Sequence, residues 1–61
     1  METDARIRVL LVDDHAIVRA GIERLLVATG RFEVVGVAAD GEEAVAQAHA
    51  LRPAVVVMDL S

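Results

Sequence analysis

The stretch VLLVDDHAIVRAGIERLL, residues 9–26, decides the fold. It begins with an apolar run, Val9 to Val12, preceded by Ile7 and closed by two carboxylates, Asp13 and Asp14. A run this short, bounded by charge, reads as a strand buried on both faces. The period then changes. Val18, Ile22, Leu25 and Leu26 recur at helical spacing, with Arg19, Glu23 and Arg24 on the other side. Asp14 stands where an N-cap belongs, and Gly30 where a C-terminal glycine belongs. Gly21 lies inside the helix, where it costs about 1 kcal/mol relative to Ala. Close packing against the sheet is therefore expected at that position.

The same alternation continues outward. FEVVGVAAD, residues 32–40, predicts a second strand from Glu33 to about Ala38. Asp40 opens the second helix, and Glu43 three residues later fits a capping box. Ala44, Val45, Ala48 and Leu51 form its apolar stripe; Arg52 suits the negative end of the helix dipole, and Pro53 stops the helix. AVVVMD, residues 54–59, is the third strand. Strand-helix-strand-helix-strand, with strands this apolar, predicts an α/β fold. Its strands are parallel, its crossovers right-handed, and helices cover both faces of the sheet.

Composition narrows the function. The 61 residues allow one small domain, marginal on its own. A 56% hydrophobic content built from Val, Ile, Leu and Ala argues for a packed core and against a disordered tail. There is no Cys, which excludes disulfides and thiolate metal sites. The net charge is −4 and the six basic residues, all Arg, are scattered, so nucleic-acid binding by this segment is not expected. The N-terminus lacks a signal-peptide apolar run, and nothing approaches the ~20 apolar residues of a membrane span. A cytoplasmic location is the expectation.

In an open parallel sheet, ligands bind beyond the carboxyl ends of the strands, where the strand order reverses. In the order 2-1-3 the first and third strands are neighbours, and both end in Asp. Asp13, Asp14 and Asp59 are therefore expected to converge at one rim. Three carboxylates there repel one another, and a hard divalent ion such as Mg²⁺, which takes oxygen ligands, relieves the repulsion. Individually the residues have blander explanations: Asp14 as a helix cap, Asp59 as the exit of a strand into solvent. His15 and His49 are expected to need no function, and Met58 to be core packing.

VLLVDDHAIVRAGIERLL, VVGVAADGEEAV (34–45) and RPAVVVMDLS (52–61) resemble the N-terminal half of a response-regulator receiver domain, particularly of the NarL/FixJ class. The resemblance implies a flavodoxin-like (CheY-like) three-layer α/β/α switch of two-component signalling. A histidine kinase phosphorylates it on an Asp, and it drives a transcriptional output; it is not a turnover enzyme. Asp59 matches the phosphoacceptor. Asp13 and Asp14 match the acidic pair that holds Mg²⁺, Asp14 directly and Asp13 through water, and the backbone carbonyl of Ser61 matches a further ligand. A receiver of this kind has two more β-α units, carrying a Thr or Ser and a Lys; its class adds a helix-turn-helix domain that binds DNA. This sequence has no Lys. Residues 1–61 are thus expected to be the N-terminal part of a receiver.

Rival readings fit less well. A dinucleotide site needs G-x-G-x-x-G where this chain has DDHAIVRAG. A cobalamin-binding flavodoxin-like domain shares Asp13 and His15 of D-x-H-x-x-G, but position 18 is Val. An aspartyl-nucleophile phosphatase needs D-x-D, and residue 15 is His. A structural role is the remaining alternative: the outer edge of the third strand is unpaired and is a template for a second copy, giving a homodimer.

Overall fold

The computed structural model describes residues 6–59. Five elements follow one another: β1 (Ile7–Asp13), α1 (Ala16–Ala28), β2 (Phe32–Ala38), α2 (Gly41–Leu51) and β3 (Val55–Asp59). The strands form one parallel sheet in the order β2-β1-β3. The chain moves outward from β1 to β2 and then back across β1 to β3. Two right-handed crossovers in opposite directions place α1 and α2 on opposite faces. This is the flavodoxin-like α/β arrangement expected from the strand and helix periods.

β1 is the buried centre. Val9, Leu10, Leu11 and Val12 have no solvent exposure, because β1 has a neighbour on each edge and a helix over each face. Leu10 and Val12 pack with Ala38, Ala44 and Ala48 beneath α2. The register between β1 and β2 slips between Val9 and Leu10, so that Val35 has no partner and Gly36 lies opposite Leu10. Such an extra residue bends a strand and tightens its twist. Gly36 then serves a close approach: a Cβ there would sit 2.5 Å from Leu51 Cδ1 and 3.3 Å from Gln47 Oε1.

The helix ends follow local chemistry. Asp40 caps α2 by accepting the Glu43 N–H at 2.8 Å. The return bond of the expected capping box goes to the Ala39 N–H, at 2.7 Å from Glu43 Oε1, one residue before the cap. Pro53 disfavours a further right-handed residue before it; Arg52 takes the left-handed conformation (φ 51°) and donates its N–H to Ala48 O. The Arg8 guanidinium binds Arg52 O, and Ala54 N–H binds Arg8 O, tying the entry of β3 to β1. At the end of α1, Gly30 supplies the positive φ (75°) just past the Thr29 cap.

Four expectations for the helices are corrected. The N-cap of α1 is His15, without a side-chain capping bond, because the helix begins at Ala16 and leaves Asp14 one residue outside. The inward row of α1 is Arg19, Ile22, Glu23 and Leu26, all half-buried, whereas Val18 and Leu25 are exposed. Gly21 does not pack on the sheet; a Cβ there would meet nothing within 4 Å. On α2, Val45 of the predicted stripe is also exposed, and Ala44 carries the burial.

Candidate metal centre

The strand that carries the core also carries the first acidic residue inward. Asp13 ends β1 and is 1% exposed, the one buried charged side chain among the described residues. Its backbone and half of its carboxylate are well partnered. Oδ1 accepts the His15 N–H at 2.8 Å, and the backbone carbonyl accepts a bond from Arg19 Nη1 at 2.8 Å. Oδ2 is buried with no hydrogen-bond partner. A buried anionic oxygen left without a donor is expensive, because water no longer solvates it and no protein group has replaced that water.

Asp14, half-exposed, follows in the turn. Its Oδ1 lies 2.8 Å from His15 Nδ1, which is also 3.6 Å from Asp13 Oδ1. Among the described residues, one group of metal-ligand types has donor atoms within 4.8 Å of one another, and it consists of Asp13, Asp14 and His15. Asp59 enters from β3. It is aligned with Asp13 in the parallel ladder and exposed to solvent, as expected for strands one and three ending at one rim. Its carboxylate stands outside the tight group of three. Ser61 lies outside the described residues.

Two members of this neighbourhood escaped the sequence reading. His15 was expected to need no function; it is exposed, and its imidazole lies against both acids. Arg19 was expected on the solvent side of α1, yet it reaches back six residues to the end of β1. The only available signal for Arg19 was its place in the first turn of a helix that starts beside Asp13.

The donor set fits a divalent cation. The buried Asp13 Oδ2 lacks a partner, and carboxylate oxygens are the ligands that Mg²⁺ prefers. Asp13 and Asp14 would hold such an ion, with Asp59 next to them at the end of the adjacent strand.

An acidic turn after the central strand of a 2-1-3 parallel sheet, opposite an Asp on its neighbour, defines a class. Residues 9–61 match the response regulator receiver domain, and the chain belongs to that family. Among named relatives, it is similar to Response regulator protein VraR from Staphylococcus aureus strains Mu3 / ATCC 700698, NCTC 8325 / PS 47 and COL. Each is 52% identical over 54 residues, which is 88% of this chain and 26% of the relative. The chain thus spans about a quarter of the length of these relatives. No helix among the described residues is long and apolar enough to cross a membrane.

Proposed function

We propose that this chain accepts a phosphoryl group on Asp59 as the receiver of a two-component response regulator. One observation carries the reading: Asp59 is aligned across the ladder with Asp13, whose buried Oδ2 has no partner. Asp13, Asp14 and Asp59, together with the backbone carbonyl of Ser61, are the residues to which the receiver resemblance assigns Mg²⁺. When bound, the ion neutralises charge on the phosphoryl oxygens. The chain itself supplies the nucleophile. A carboxylate oxygen of Asp59 attacks phosphorus; the new O–P bond forms as the bond to the donor breaks, and its electron pair leaves with the donor. Exposure of Asp59 leaves it open to a donor as large as a kinase phosphohistidine. Arg19 holds the Asp13 carbonyl and so steadies the turn that carries both acids.

On this reading residues 1–61 are the N-terminal part of a cytoplasmic receiver. Its phosphoryl donor is a histidine kinase, and its output is transcriptional, reaching DNA through a separate domain. A second reading has its own observation. Among the described elements β3 touches β1 alone, and Val55, Val56 and Met58 are exposed, so the strand's outer edge suits a second copy of the chain. Sedimentation that finds a folded monomer at high concentration removes that homodimer.

The phosphoacceptor is tested in the full-length response regulator that this reading implies, by incubating it with acetyl phosphate and Mg²⁺ and measuring intact mass. Addition of one phosphoryl group to wild type, and none to Asp59→Asn, is expected. Persistence of the adduct in Asp59→Asn overturns the assignment.

A further inference from the structure

We infer that Arg19 is a positioning residue of the acidic rim: its guanidinium fixes the peptide unit between Asp13 and Asp14 and so presets both carboxylates for Mg²⁺. The inference deepens the receiver reading and rests on it for the presence of the cation.

Geometry argues first. Arg19 Nη1 donates to the backbone carbonyl of Asp13 at 2.8 Å. That carbonyl and the Asp14 nitrogen belong to one planar peptide unit. Holding the oxygen therefore fixes the direction in which the chain leaves β1 towards Asp14. From the other side, Asp13 Oδ1 accepts the His15 N–H at 2.8 Å, which closes the same three residues as an Asx turn. With Oδ1 engaged in this way, Oδ2 is the oxygen left buried and unpartnered. Arg19 works from a firm base, because its own N–H donates to His15 O at 2.9 Å in the first turn of α1. Site residues held from a helix or strand are placed more precisely than those held from loops.

Burial argues second. Arg19 is half-buried in the inward row of α1, while the apolar Val18 and Leu25 of the same helix are exposed. Arginine is mostly left to water. Here it takes an inward place, and the bond it makes there is to the turn that carries both acids.

Charge separates positioning from mere proximity. A guanidinium beside the rim repels a dication. Acting only as a charge, Arg19 would weaken Mg²⁺ binding, and its removal would tighten it. Acting as a clamp on the turn, its removal loosens binding even though a repulsion is lost. The two roles differ in sign.

The test is calorimetric titration of Mg²⁺ into the full-length response regulator that the receiver reading implies, as wild type, Arg19→Gln and Arg19→Lys. Gln is too short to reach the Asp13 carbonyl; Lys keeps a donor on a longer stem. Affinity is expected to fall at least threefold in Arg19→Gln and to be partly restored in Arg19→Lys. Binding by Arg19→Gln that equals or exceeds wild type, or a Lys variant no tighter than the Gln variant, overturns the inference and leaves the receiver reading standing. A nitrogen-15 magnetic resonance measurement on Mg²⁺-loaded wild type needs no variant. Separate Nη resonances for Arg19, from hindered rotation of a held guanidinium, are expected; one averaged resonance overturns the inference. Failure of wild type to bind Mg²⁺ overturns both readings.

Discussion

β1 and β3 are nearly the same sentence written twice. One reads Val-Leu-Leu-Val-Asp, the other Val-Val-Val-Met-Asp, and they run side by side with their Asp residues aligned. Their environments differ completely. The apolar residues of β1 have no exposure, whereas Val55, Val56 and Met58 are 42%, 43% and 53% exposed. Composition thus makes a strand, but position in the sheet decides what the strand is worth. β1 has neighbours on both edges and helices on both faces; β3 touches only β1 among the described elements. The difference extends to the acids. Asp13 is sealed in by the core that surrounds its strand, and Asp59, at the same level, meets solvent. A buried acid suits a fixed ligand, and an exposed one suits a nucleophile that must meet a donor.

The comparison breaks most sharply in the core. Leu10→Ala should cost about 2–5 kcal/mol, which removes most or all of the ~3–5 kcal/mol a core of this size supplies. Val56→Ala on β3 should cost below about 1 kcal/mol, since only part of two methyl groups is buried. Urea titration followed by far-ultraviolet circular dichroism distinguishes the two; equal losses would mean that β3 is covered as β1 is.

A second difference concerns the acids. Asp13→Asn keeps an acceptor for the His15 N–H and removes the unpartnered negative oxygen. It should raise metal-free stability by about 1–3 kcal/mol while abolishing stabilisation by Mg²⁺. Asp59→Asn, exposed, should leave metal-free stability nearly unchanged. Thermal melts with and without Mg²⁺ measure both.

Two glycines sharpen the same lesson at smaller scale. Gly36→Ala forces Leu51 and Gln47 aside and should cost about 1–3 kcal/mol. Gly21→Ala, in open space on a helix, should stabilise by about 0.5–1 kcal/mol. Denaturant midpoints for the pair should move in opposite directions.

The elements themselves were legible because each has a one-dimensional signature. Four apolar residues ending in acid mark β1, and the Asp40–Glu43 spacing marks the start of α2 and recurs as a real cap. Parallel order followed from the alternation of strands and helices. The face of α1 was not legible. Ile17, Val18, Ile22, Leu25, Leu26 and Val27 surround much of that helix, so the apolar period admits several inward rows. The row actually turned inward includes Arg19 and Glu23. The rim was half legible: two strands ending in Asp can be counted, but a histidine turned toward them cannot.

The sequence by itself determined five elements, their parallel order and the arrival of Asp13 and Asp59 at one rim. Hydrophobic period and right-handed crossovers are local rules that make the strands parallel, while the order 2-1-3, on which that meeting depends, came from the flavodoxin-like reading, since 3-2-1 obeys the same rules. Only the tertiary structure decided that Asp13 is sealed with one oxygen unpartnered, that Arg19 grips its carbonyl and that His15 lies against both acids. Those facts depend on which groups the fold shields from water and which it brings within about 3 Å, the range over which hydrogen bonds and ligation act. Sequence spacing carries no measure of that distance.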